Sequence, residues 1–127
     1  MNISKFTQKS VQAVQDLEKV AYEYGNQEIE EEHLLYALLT QEDSLILKLI
    51  EKMEIQKEYF IDTVKKALDA KVKVSGGELR FGQYLNKALV SAEDEAKAMG
   101  DEYVSVEHLF LAMLSNPSPS MKKIFNE

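Results

Sequence analysis

Two adjacent pairs, Glu32-His33 and Glu107-His108, have the residue types for proton transfer or metal chemistry. A carboxylate beside an imidazole can exchange protons or offer donor atoms to a divalent cation. Their spacing works against both uses. Neighbouring side chains on a helix point about 100° apart, so each pair converges poorly on one ion. A zinc-protease helix needs two histidines four residues apart with a glutamate between them, and neither copy has that pattern. The bland reading is that each pair opens a helix, with Glu favoured by the dipole and His capping or packing at the third position. A second reading is contact with a protein partner through Glu32, His33, Glu107 and His108. A third, for which the spacing is unsuited, is a small metal-dependent enzyme. No Ser/His/Asp or Cys/His arrangement is indicated. Gly76-Gly77 is not followed by the Lys-Ser/Thr of a phosphate loop. Tyr22, Tyr24, Phe81, Tyr84 and Tyr103 read as core or edge packing rather than a stacking platform.

The elements that must position these pairs are repeated. Gly25 to Leu39, GNQEIEEEHLLYALL, recurs from Gly100 to Leu114 as GDEYVSVEHLFLAML. Each matched pair is 75 apart (100 − 25, 108 − 33, 114 − 39). The match continues upstream without a gap, pairing Phe6 with Phe81, Ala13 with Ala88 and Ala21 with Ala96. A repeat of this length predicts two copies of a multi-helix unit packed as one domain. Its parts are repeat one over 1–71, a linker over 72–80 and a shortened repeat two over 81–127.

The composition agrees. The chain has 127 residues, 45% hydrophobic and 29% charged, which suits one soluble core. Without cysteine, neither a disulfide framework nor a thiolate zinc site can form. With 15 basic and 22 acidic residues the net charge is −7, which argues against nucleic acid and anionic membranes as partners. No apolar run approaches the roughly 18 residues of a membrane span. The segment MNISKFTQKS lacks a signal-peptide core, so a cytoplasmic location is expected.

Helix signals fill both repeats. Thr7 is a cap for a first helix, with Phe6 and Val11 at staple spacing and Gly25 as the stop. A second helix starts near Glu30 and buries Leu34, Leu35, Leu38 and Leu39. A third starts near Ser44 with Leu45, Ile46, Leu49, Ile50 and Met53 inward. A fourth runs from about Gln56 to Ala70. The Gly76-Gly77 segment reads as a linker, where a brief extended pairing is open but not favoured. In repeat two, Tyr84, Leu85, Ala88, Leu89, Ala92 and Ala96 form a stripe ending at Gly100. Ser105 caps the next helix, and Pro117 and Pro119 lead into a last short one. The fold class is therefore all-α, with about seven helices. A partner for Met121, Ile124 and Phe125 is missing, so apolar surface is expected near Met113 and Phe125.

The quoted repeat, with KVSGG and LNKALVSAEDEAKAMGDEYVSVEHLFLAML, resembles the N-terminal (Clp repeat) domain of Clp AAA+ ATPases, nearest the ClpB-type disaggregases. The resemblance covers nearly the whole chain. It implies an all-helical pseudo-twofold domain, normally of four helices per repeat, so the sequence stops short of the family's usual eighth helix and implies a trimmed domain. It implies no cofactor here, with ATP and Mg held by AAA+ rings outside this sequence. The full-length protein would be hexameric and the isolated domain monomeric. The implied role is non-catalytic recruitment of unfolded or aggregated proteins. Positions tied to it fall on Thr7, Asp101 and Glu107. The alternative is a ClpC/ClpA-type domain that docks adaptors or marked substrates for a protease, with Glu32 and Glu107 reading phosphorylated arginine. Glu31 and Val106 stand before those glutamates where that type carries Thr. A shallow apolar groove is expected, bordered by Thr7, Asp101, Tyr103 and Glu107, with Asp101 and Glu107 as an acidic rim.

Overall fold

The computed structural model describes residues 3–74 and 76–126. After a short 3-10 turn at Ile3–Lys5, the helices of repeat one are α1 (Gln8–Glu23), α2 (Glu31–Leu39), α3 (Leu45–Lys52) and α4 (Lys57–Asp69). Those of repeat two are α5 (Gln83–Ala98), α6 (Val106–Ser115) and α7 (Pro119–Phe125). Adding 75 to the bounds of α1 gives those of α5, and adding it to Glu31 and Leu39 gives Val106 and Leu114 of α6.

Local chemistry sets these ends. The Thr7 side chain accepts from the Ser10 amide (3.3 Å), and Ser44 and Ser118 cap α3 and α7 in the same way. Pro119 stands in the first turn of α7, where its missing N–H costs nothing. At the end of α1, Gly25 takes φ +71° and Asn26 N–H reaches the Ala21 carbonyl (2.9 Å). Gly100 (φ +72°) and Asp101 N–H to Ala96 (2.8 Å) repeat that termination in α5. This left-handed position favours glycine because a Cβ would meet the following carbonyl.

The linker does pair, which the sequence reading did not favour. Residues Glu28–Ile29 (β1) and Arg80–Phe81 (β2) form a short parallel pair, with Ile29 opposite Phe81. The same pairing joins Phe6 to Val104. Each repeat thus lends the residues before its first helix to the residues before the other's second helix. Gly82 N–H donates to the Ile29 carbonyl (2.8 Å), and Thr7 N–H to that of Val104 (2.9 Å). Two residues per side satisfy backbone groups that would otherwise be buried unpaired.

Helix α2 is the centre, packed by α1, α3, α4, α5 and α6. Eight of its nine residues are buried, including Glu31, Glu32 and His33. Helix α4 packs on α2, and no described helix takes the corresponding place on α6. The effect is read at the matched pair Leu39 (2% exposed) and Leu114 (42%).

Three expectations are corrected here. Met121 and Ile124 are buried, Met113 is fully enclosed, and Phe125 packs edge-on against Phe110 at 6.3 Å. The tail is covered because α7 packs on α4 as well as its own repeat. On α6 it is Leu111 and Leu114 that are exposed instead. On the short α3, Ile46 and Ile50 face inward one turn apart, leaving Leu45 and Met53 at its ends exposed. Tyr84 lies at the first turn of α5 and is more than one-third exposed, outside the buried stripe that starts at Leu85.

Candidate functional site

The two histidines have the same place in each repeat. Glu30 N–H donates to His33 Nδ1 (2.8 Å) and Ser105 N–H to His108 Nδ1 (2.9 Å). Each imidazole therefore satisfies the amide at its own helix cap, as Glu or Gln does in a capping box. An amide donor at Nδ1 puts the ring proton on Nε2. That nitrogen meets Asn26 Oδ1 (3.0 Å) in repeat one and Asp101 Oδ2 (2.9 Å) in repeat two. Asn26 in turn donates to the Val72 carbonyl (3.0 Å) and so fixes the start of the linker. Both ring nitrogens of each histidine are thus used inside the fold, and neither has a lone pair left for a metal. His33 is wholly buried and His108 nearly so. They position the loop before each helix and are not at the surface where a partner contact was expected. Burial, then the Lys71 charge, lowers the His33 pKa to about 4.

The glutamates diverge. Glu107 is exposed on the first turn of α6. Glu32 is buried, with its carboxylate paired to Lys71 Nζ (3.3 Å) and accepting from the Ser120 hydroxyl of α7. Lys71 also pairs with Glu30 (2.9 Å). Beside them, Glu31 Oε1 accepts from the Ser118 amide (2.8 Å), while its buried Oε2 has no hydrogen-bond partner among the described residues. Glu32 therefore latches α7 and is enclosed away from solvent.

Burial raises the Glu31 pKa to about 7, against the lowering effect of the Ser118 hydrogen bond. A raised folded pKa contributes stability that is whole below the unfolded value of 4.5 and is lost as pH rises through about 7. His33 has the opposite sign, contributing above 6.5 and losing it as pH falls through about 4. The two offset each other where their windows overlap. The Glu31→Gln variant isolates the first. Chemical denaturation from about pH 5 to pH 8 should show the unsubstituted protein losing on the order of 2 kcal/mol relative to the variant. A pH-independent difference would show that Glu31 stays ionised.

Of the remaining expected residues, Thr7 caps α1, Asp101 and Tyr103 lie in the loop before α6, and Glu107 is in its first turn. The Thr7–Val104 hydrogen bond and the Phe6–Val104 pairing set the N-termini of α1 and α6 side by side. Thr7 is partly exposed there, Tyr103 is half-exposed, and Asp101 projects beside them while holding His108. A groove of about 270 Å³ adjoins this loop, with Ala96 and Val104 as apolar lining and Lys5, Glu93, Lys97, Asp101 and Glu102 around them. Sequence reasoning missed the counterpart of the Thr7 and Tyr103 positions at the other crossing. There a cleft of about 470 Å³ is lined by Glu28, Glu30, Glu31, Arg80, Gly82 and Tyr84, among others. The 75-residue offset carries Thr7 to Gly82 and Tyr103 back to Glu28, so the signal was present once the crossing was known.

The exchanged strands, the doubled histidine caps and the all-α arrangement define a Clp-type N-terminal domain. The chain belongs to the family described as the Clp repeat (R) N-terminal domain, whose profile matches residues 5–127. That family is a non-catalytic N-terminal domain. The chain is 38% identical over 126 residues to chaperone protein ClpB of Nitratidesulfovibrio vulgaris, covering 95% of this chain and 15% of the relative. It is 37% identical over 132 residues to chaperone protein ClpB of Clostridium tetani, covering 100% and 15%. It thus spans about one-seventh of the length of these curated relatives. Among solved structures, the Hsp104 N-terminal domain from Candida albicans superposes with TM-score 0.85 at 22% identity, covering 96% of this chain and 80% of that one. A complex of the ClpV N-domain with a VipB peptide gives 0.76 at 20% identity, covering 98% and 79%. Among the described residues no helix is long and apolar enough to cross a membrane.

Proposed function

We propose that this domain recruits unfolded or aggregated proteins for an ATP-dependent chaperone of the ClpB type. The observation that carries this reading is the strand exchange at Val104, which brings the α1 and α6 N-termini together. Thr7 lies at the first of these N-termini, Asp101 and Tyr103 precede the second, and Glu107 is in its first turn, which supports reading the four as one strip. Unfolded clients share exposed apolar segments rather than a sequence, so a shallow groove with a polar rim suits them. Exposed Val90, Leu111 and Leu114 on α5 and α6 add apolar surface. The chaperone relatives and the peptide-bound ClpV neighbour support a protein ligand. ATP and Mg then act in rings joined to this domain, in a hexameric protein working in the cytoplasm.

The acidic rim of Asp101 and Glu107 would favour clients that interleave apolar and basic residues, because Coulomb attraction speeds encounter. The test is Glu107→Ala, measured for thermal stability and for affinity to an unfolded basic-apolar protein. We expect a folded variant that binds about threefold to tenfold more weakly at low salt, with the difference shrinking at moderate salt. Unchanged affinity would leave Glu107 only its favourable place at the helix N-terminus.

A further inference from the structure

The cleft between α4 and α7 has a charge opposite to that of the molecule. It encloses about 540 Å³ and is lined by Tyr59, Thr63, Lys66, Ala67, Ala70, Lys71, Ser120, Lys123 and Ile124. Three lysines and no carboxylate line it, in a chain with 15 basic and 22 acidic residues. Lys71 is already neutralised by Glu30 and by the buried Glu32 beneath Ser120. Lys66 on α4 and Lys123 on α7 are exposed and have no ion pair among the described residues. They stand on opposite walls. Between them Ala67, Ala70 and the Ile124 side chain give an apolar floor, and the half-exposed Tyr59 ring flanks it.

We infer that this cleft binds an acidic peptide segment that carries a bulky apolar side chain. The floor takes the side chain, because small alanines leave the room and burial of apolar area drives binding. The Lys66 and Lys123 ammonium groups take flanking carboxylates, which fixes the sign of the partner. A nucleic acid is disfavoured, since two lysines offset little of the repulsion from a net charge of −7. The wall is stiff where it matters. Glu31 and Glu32 hold the Ser118 amide and the Ser120 hydroxyl of α7 against α2, so little ordering is needed on binding. This partner differs in sign from the basic-apolar clients proposed for the Thr7–Glu107 strip, and the two surfaces are made by different helices.

The experiment uses the 127-residue chain, labelled with nitrogen-15, and three short peptides. One has Asp and Glu around a Leu and a Phe. The second replaces the acids by Lys, and the third replaces Leu and Phe by Ser. The first should shift the amides of Thr63 to Lys71 and of Ser120 to Ile124, and should bind more tightly than either control. The double variant K66E/K123E, at exposed positions, should keep the thermal midpoint and weaken the acidic peptide by about tenfold, while improving the lysine peptide. Ala67→Trp, which fills the floor, should weaken the acidic peptide without reversing the preference. Shifts that map elsewhere, equal binding of the lysine peptide, or unchanged affinity in K66E/K123E would each overturn the inference.

Discussion

Replacing Lys71 by Met should cost about 3 kcal/mol of folding stability, a large effect for a residue far from any catalytic chemistry. Lys71 is the cation nearest two carboxylates, Glu30 at 2.9 Å and Glu32 at 3.3 Å, and its side chain is 12% exposed. The Glu32 side chain is 1% exposed. Removing one member of a buried pair leaves the other charge without compensation, and desolvation then dominates. The Ser120 hydroxyl still donates to Glu32, but a neutral donor does not replace a charge. Urea denaturation of Lys71→Met at neutral pH should show a lower midpoint with the slope unchanged. The partner experiment is Lys71→Met with Glu32→Gln. The amide can still accept from Ser120 and carries no charge, so at least half of the loss should return. If the double variant is no more stable than the single one, the cost lies in lost packing of the lysine stem rather than in the orphaned carboxylate.

The second large effect is expected at His33, where the Ala variant should lose about 3 kcal/mol. Three things go at once. The Glu30 amide loses its acceptor at 2.8 Å, Asn26 Oδ1 loses its donor at 3.0 Å, and a wholly buried ring leaves a cavity. Asn26 also holds the Val72 carbonyl, so the loss should spread to the start of the linker. Hydrogen exchange should quicken for the amides of 26–30 and 72–74 before it does in α5. The matched His108→Ala should lose about 1 kcal/mol less, because its partner Asp101 is half-exposed and water can replace the ring. Equal losses at the two sites would mean that burial of the partner does not set the cost.

This pair of histidines shows how much was legible beforehand. The offset of 75, the third-position histidine and the glycine stops are local facts, because caps and turns depend on residues within four positions of each other. The all-α class followed from them, as did helix starts at Thr7 and near Glu30, within one residue of the observed Gln8 and Glu31. The ring's second hydrogen bond, to position 26 or 101, spans a loop whose path no local pattern states. The short β1–β2 pair was likewise missed, since two residues per strand carry no alternation to read. The covering of α7 by α4 joins parts of the chain fifty or more residues apart (119 − 69 = 50), which put it beyond any periodicity argument.

Glu-His-Leu occurs twice, and the sequence alone determined that each copy opens a helix; whether its histidine caps, packs or meets a partner stayed open. Only the tertiary structure decided what the glutamates do. In repeat one, α4 leads into Lys71 and α7 brings Ser120, so Glu32 is enclosed, paired and latched. In repeat two no described helix stands where α4 stands, so Glu107 meets solvent and Leu114 is 42% exposed. The chemical identity of the tripeptide fixes its local hydrogen bonds. Its dielectric surroundings are set by whatever packs over it, and those surroundings decide whether a carboxylate holds the fold together or is free to meet a partner.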